Sequence, residues 1–130
     1  MKEIQFKKDG EPLRVSFIFI GAMYASYTFY LFNANSNSYA QDPNPGNNQN
    51  PQDDIYYLPM PSSLNDNRII ELTTSLVGDG TSTNYRVIME VYQGNKLLES
   101  IVDENNLLNN KPVDSYIFCK LKSIYLNESK

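Results

Sequence analysis

The feature that most constrains the fold is an uncharged stretch of eighteen residues, at positions 15–32. Its length is that of a membrane-spanning helix, so a transmembrane segment or a signal peptide must be considered first. However, β-branched and aromatic residues dominate the stretch and Gly21 interrupts its centre. This composition favours extended strands over a helix rich in Leu and Ala. The stretch therefore predicts two strands rather than a membrane segment.

The residues before this stretch also differ from a signal peptide. They include Glu3, Asp9 and Glu11 among the lysines, whereas a secretory leader begins with a purely basic region. We therefore expect no membrane insertion and no signal peptide. With one cysteine the chain has no internal disulfide, which favours a cytoplasmic or virion setting over secretion. We expect the protein in the cytoplasm or as part of a virion or secreted assembly.

A turn signal lies at the middle of the uncharged stretch. Gly21-Ala22 is typical of a two-residue type II′ turn. Such a turn predicts a hairpin in which Ile20 pairs with Met23 and Val15 with Thr28. Both faces of that hairpin are largely apolar, so it belongs inside a two-layer structure or at a contact with another chain.

Alternation with a period of two recurs along the rest of the chain, and no segment has the spacing of an amphipathic helix. We expect edge strands in residues 1–8 and 55–61, and stronger strands at 68–77, 85–92, 97–102 and 115–122. A short helical turn is expected near 62–65 or 104–108. About eight strands predict an antiparallel β-sandwich, Ig-like or jelly-roll-like, with a partly open β-barrel as the second choice.

The length of 130 residues predicts a single β-sandwich domain over residues 1–130. Residues 33–54 form a long polar connection rich in Asn and Pro, and Tyr39 is isolated within it. Connections of this length are uncommon in compact domains and are usually functional or disordered. The connection is either solvated filler or, with Tyr39 as an anchor, a contact element for a neighbouring subunit.

The residue types present exclude most familiar catalytic sites. The chain has no histidine and only one cysteine, Cys119. Catalysis by Ser-His-Asp or Cys-His groups, zinc held by histidine and an internal disulfide are therefore excluded. Cys119 alternates with Ile117 and Leu121, which predicts a position in the core. We expect no enzyme activity, no cofactor and no metal site.

Carboxylates are the remaining candidates for chemistry. Acidic turn residues suggest calcium, although their spacing fits no known loop and Asp is a common turn residue. They are Asp53, Asp54, Asp66, Asp79, Asp103 and Glu104. A two-residue turn at Gly94-Asn95 would also place Glu90 opposite Glu99, as in a glycosidase pair. Compensation by nearby basic residues, or a longer turn that separates the pair, is the simpler interpretation.

Tyrosine is the most distinctive component, with ten Tyr and six Phe but no Trp. Tyrosine-rich surfaces bind both proteins and sugars. We predict binding residues at Tyr39, Tyr56, Tyr57 and Tyr27, with Tyr24 and Tyr30 nearby on the predicted hairpin. The lack of Trp disfavours a sugar site, and the formal charge of -4 without a basic stripe disfavours nucleic acid.

These observations predict a non-catalytic module whose function is to bind another molecule. It would bind another protein or itself, as a structural or adaptor subunit of a bacterial or phage assembly. A lectin-like carbohydrate-binding module is the alternative. A glycosidase that uses Glu90 and Glu99 is the third choice.

Overall fold

A computed structural model of the chain describes residues 1–49, 54–108 and 111–125. These residues form nine β-strands and one short 3₁₀ helix, Ser62–Asn65. The strands are β1 (Glu3–Lys7), β2 (Leu13–Ile20), β3 (Tyr24–Phe32), β4 (Asn44–Asn47), β5 (Ile55–Tyr57), β6 (Ile69–Val77), β7 (Asn84–Gln93), β8 (Lys96–Asn106) and β9 (Val113–Ile124).

The strands form two sheets that pack face to face. The five-stranded sheet has the order β1-β9-β6-β3-β4, and the four-stranded sheet has the order β5-β2-β7-β8. Neighbouring strands are antiparallel except β1 and β9, which are parallel. The predicted all-β sandwich is confirmed, and the strands of the described residues do not close into a barrel.

The predicted hairpin within residues 15–32 is wrong, although both of its halves are strands. β2 pairs with β5 and β7, whereas β3 pairs with β4 and β6, so the two strands lie in different sheets. Gly21 has a φ of 91°, and a Cβ at this position would overlap the carbonyl oxygen of Asn84. The glycine therefore allows the chain to cross from one sheet to the other. The apolar content of both strands is explained because their inner residues face each other across the core.

The core lies between the sheets, where alternate residues of the long strands are buried. Phe17 of β2 and Phe29 of β3 are both buried, and their ring centroids are 5.3 Å apart. Two predicted buried faces are confirmed. They comprise Tyr85, Val87, Met89 and Val91 of β7, and Ile117, Cys119 and Leu121 of β9.

The edge strands and the helical turn are the smaller elements of the fold. β1 and β5 are edge strands, as predicted. The helical turn occurs at Ser62–Asn65, whereas β8 occupies most of the alternative position at 104–108. The part of the chain that the structure describes contains no helix with the length and hydrophobicity needed to cross a bilayer.

The polar connection at 33–54 contains a strand that we did not predict. β4 pairs with β3 at the edge of the five-stranded sheet and places Gly46 opposite Tyr27. The backbone N–H of Asn48 donates to the carbonyl of Ala25 at 3.0 Å, and Asn48 Oδ1 accepts from the Ala25 N–H at 3.1 Å. This part of the connection therefore belongs to the sheet. Positions 50–53 lie outside the described residues.

Candidate functional site

Two of the predicted binding residues, Tyr27 and Tyr56, form a buried cluster with Asp54. The Tyr27 hydroxyl donates to Asp54 Oδ1 at 2.6 Å. The hydroxyls of Tyr27 and Tyr56 are 2.8 Å apart, so Tyr56 donates to Tyr27. Burial, together with hydrogen bonds to Asp54 and Tyr56, raises the pKa of Tyr27 well above its usual range. The cluster joins β3 of one sheet to β5 of the other, which is a structural role.

The other two predicted binding residues are exposed on different sheets. Tyr57, with 69% of its surface exposed, lies on β5 of the four-stranded sheet. Tyr39 is 52% exposed and lies against the outer side of the five-stranded sheet. The structure therefore does not bring the four tyrosines into one site.

Tyr39 forms one end of an aromatic surface. Its backbone bridges to Phe32, and its ring centroid lies 5.7 Å from that of Tyr30 and 5.6 Å from that of Phe32. The rings of Tyr30 and Phe32 also stack, at 5.8 Å. Both residues alternate with buried residues of β3, so they face outward. Tyr39 is thus anchored on its own chain while half of its side chain stays accessible.

The aromatic surface continues across the sheet to β9. Glu71 of β6 lies opposite Tyr30 of β3 on one side and opposite Phe118 of β9 on the other. Phe118 is 45% exposed, and Tyr116, two residues before it, is 59% exposed. We call this surface the aromatic face and define it by Tyr30, Phe32, Tyr39, Tyr116 and Phe118.

Glu71 places a carboxylate between Tyr30 and Phe118 of this face. Burial by its neighbours raises its pKa. The ion pairs of the described residues are Lys2–Glu99 and Arg86–Glu104, and no hydrogen bond to the Glu71 carboxylate occurs within the same residues. Lys120 lies diagonally across from Glu71 on β9, but its ammonium is not within ion-pair distance of the Glu71 carboxylate. The carboxylate is therefore available to a ligand.

A shallow trough of about 330 Å³ lies beside the aromatic face. It crosses β3, β6 and β9, and hydroxyl groups form most of its lining. The residues that line it are Ser26, Tyr27, Thr28, Thr73, Thr74, Ser75, Asp114 and Tyr116, and all of them except Asp114 carry a hydroxyl group. Tyr116 belongs to both the trough and the aromatic face, so the two features are continuous.

The chain matches no protein-family model, no curated protein and no solved structure. Geometry alone therefore defines the candidate site as the aromatic face, Glu71 and the trough. Sequence reasoning found Tyr39 and noted Tyr30, but it missed Phe32, Tyr116, Phe118 and Glu71. These residues are remote in sequence and meet only through the pairing of β3, β6 and β9. The signal that was available is the presence of aromatic residues at outward positions of a strand, where polar residues are usual.

Glu90 and Glu99 do not face each other, as a regular ladder after a two-residue turn would require. Gly94-Asn95 is a two-residue turn, but a bulge after Val91 shifts the register of β7 and β8. As a result Glu99 lies opposite Val91, and Glu90 lies opposite Ser100. Because Glu90 and Val91 point to opposite sides of the sheet, the two carboxylates are on different faces. They cannot act together on one glycosidic bond.

The acidic turn residues serve local structure. Asp79 accepts hydrogen bonds from the hydroxyl and backbone N–H of Thr81, which lower its pKa to about 2. Asp66 accepts a hydrogen bond from the backbone N–H of Ser123. Asp103 and Glu104 lie within β8 and not on a turn as predicted, and Asp103 accepts hydrogen bonds from the hydroxyls of Tyr85 and Ser115. Within the described ranges no three Asp, Glu or Cys side chains are grouped to hold a metal ion. Asp53, which was also considered for calcium, lies outside those ranges.

Cys119 is fully buried in the core, as predicted. Burial raises the pKa of its thiol to about 12. A thiol with such a pKa is neutral at physiological pH, whereas the thiolate is the nucleophile. Cys119 therefore does not supply a reactive group.

Proposed function

We propose that the protein is a non-catalytic binding module that contacts a partner protein through the aromatic face. The observation that carries this proposal is the exposure of Tyr39, Tyr116 and Phe118, each about half accessible on one sheet surface. Large aromatic side chains supply much of the binding energy at protein interfaces. Such a module would serve as an adaptor or a structural subunit of a larger assembly.

The order of the aromatic face supports this proposal. The ring of Tyr30 stacks on those of Phe32 and Tyr39, and the rings of Phe32 and Tyr39 are in tilted contact. The side-chain amide of Asn33 donates to the Tyr39 carbonyl at 3.2 Å and so fixes the segment that carries Tyr39. Side chains that are already ordered lose little entropy on binding. The face is therefore suited to form a specific contact without large rearrangement.

The charge of the chain favours a basic partner. The formal net charge is -4, and the carboxylate of Glu71, which has no ion pair among the described residues, lies between Tyr30 and Phe118. Charge complementarity speeds association and disfavours partners of like charge. The same charge disfavours nucleic acid, since its phosphates would be repelled.

The proposal is tested with alanine variants of the aromatic face. The mass of the purified protein, from light scattering, first shows whether the partner is a second copy. Otherwise the partner is captured from the cells that produce the protein, identified, purified and titrated calorimetrically. We expect Tyr39→Ala and Phe118→Ala each to raise the dissociation constant about tenfold, as for interface residues that contribute above 1 kcal/mol.

Tyr57→Ala is the matched control, because Tyr57 is an exposed tyrosine on the other sheet. The dissociation constant of the Tyr57→Ala variant for the partner should remain within about twofold of that of the unmodified protein. A partner that binds Tyr39→Ala and Phe118→Ala as well as the unmodified protein would contradict the proposal.

A carbohydrate-binding module is the second candidate, and the trough is the observation that favours it. Its hydroxyl and carboxylate groups can exchange hydrogen bonds with sugar hydroxyls, and the exposed ring of Tyr116 can pack on a sugar ring. A glycan array probed with the unmodified protein, Tyr116→Ala and Tyr57→Ala distinguishes this candidate. A glycan signal that Tyr116→Ala loses and Tyr57→Ala keeps would support it.

A further inference from the structure

We propose that the aromatic face receives an arginine side chain of the partner protein, with the guanidinium paired to Glu71 between Tyr30 and Phe118. This inference rests on the proposed function, because it names the chemical group that the face takes from a protein partner. Glu71 would then give the aromatic face specificity for one type of side chain.

The register of the sheet creates the site. Tyr30, Glu71 and Phe118 lie side by side on neighbouring strands and face the same way. Adjacent strands are about 4.8 Å apart, so the backbones that carry Tyr30 and Phe118 are separated by about 10 Å. This spacing leaves room above Glu71 for a planar group flanked by a ring on each side.

Glu71 differs from the other half-buried carboxylates on strands. Glu99 pairs with Lys2, Glu90 accepts a hydrogen bond from Ser16, and Asp103 accepts one from Ser115. Glu71 has no such contact among the described residues. An ionised carboxylate that is partly removed from water without a partner costs free energy, and a cation from outside would compensate for that loss.

The surroundings of Glu71 fit arginine better than lysine. Guanidinium is planar, weakly hydrated and able to stack on aromatic rings while it forms two hydrogen bonds to a carboxylate. Lysine carries a compact, strongly hydrated charge that forms no planar contact. Aromatic rings on both sides add cation–π attraction, which is seen more often for arginine.

The test uses N-acetyl-argininamide as the probe and NMR of the isotope-labelled full chain as the readout. We expect saturable shifts of the Tyr30, Glu71 and Phe118 signals. N-acetyl-lysinamide should bind about threefold more weakly, and the neutral isostere N-acetyl-citrullinamide should give no saturable shift. Equal binding of the citrulline or lysine compound, or no saturable shift with argininamide, would overturn the proposal.

Variants assign the effect to one carboxylate. Glu71→Gln should weaken argininamide binding at least about fivefold, as expected for loss of a charge-assisted pair. Glu104→Gln removes an exposed carboxylate from the other sheet and should change nothing. The melting temperature of each variant shows that it is folded. Unchanged binding by Glu71→Gln would refute the assignment.

The partner assay separates this inference from the proposed function. A partner that needs Tyr39 and Phe118 but binds Glu71→Gln normally would overturn the arginine site and leave the proposed function standing. A partner that ignores all three residues would overturn both.

Discussion

Replacing Tyr27 with Phe removes a single hydroxyl from the buried contact between the sheets. That hydroxyl donates to Asp54 at 2.6 Å and accepts from Tyr56 at 2.8 Å. Phe keeps the ring, and with it the packing against Phe17 and Phe19 at centroid distances of 5.1 and 5.5 Å. The substitution therefore separates the hydrogen bonds from the aromatic packing.

The expected loss follows from the type of each hydrogen bond. A hydrogen bond to a charged group contributes about 1.5–3 kcal/mol, and a buried polar group left without its partner adds a desolvation penalty. Asp54 is buried, and it keeps contacts other than the one to Tyr27. We therefore expect the free energy of unfolding to fall by about 2–3 kcal/mol, a large fraction of the stability of a small domain.

Urea unfolding at neutral pH, followed by circular dichroism, measures this loss. With a slope of about 1.5 kcal/mol per molar urea, the midpoint should fall by about 1.3–2 M. Tyr57→Phe is the matched control, because Tyr57 lies on the same strand as Tyr56 but is exposed, and it should cost less than about 0.5 kcal/mol. A similarly small loss for Tyr27→Phe would refute the reasoning that the cluster joins the two sheets.

Three further outcomes are expected. Phe17→Ala and Phe29→Ala should each lower the free energy of unfolding by about 3–5 kcal/mol in the same assay, since both rings are in the core. Glu71→Gln should raise the melting temperature by about 1–2 °C at pH 7, because burial raises the Glu71 pKa and the charged form destabilises the folded state. That gain should vanish below about pH 4, where Glu71 is protonated in both states, and its persistence there would contradict the cause given. Cys119 should react with a thiol reagent only in denaturant, and fast labelling of the folded protein would contradict its burial.

The strands could be predicted from the sequence because alternation is a local property. Tyr85, Val87, Met89 and Val91 show a buried face without reference to any other strand. Which strands pair is decided by contacts between distant residues. Gly21 illustrates the difference, since its positive φ suits a tight hairpin as well as the crossover that the chain adopts.

The candidate site was less predictable than the fold. Tyr39 is recognisable in the sequence because it is an aromatic residue among polar ones. Glu71 is one polar residue in an alternating strand, so nothing in the sequence around it marks it as part of a site. Its position between Tyr30 and Phe118 depends on the register of three strands. The bulge after Val91 shows the same dependence, because one extra residue separated Glu90 from Glu99.

β4 also determines how the five-stranded sheet ends. In an antiparallel pair, the backbone N–H and C=O groups of successive residues point alternately toward the partner strand and away from it. The N–H and C=O groups of Gly46 and Asn48 point toward β3, so those of Pro45 point toward the free edge. Proline has no N–H, and the strand has only four residues. An incoming strand finds little to pair with there, which is how natural sheets avoid edge-to-edge aggregation. This side of the sheet is thus protected against uncontrolled growth into fibrils.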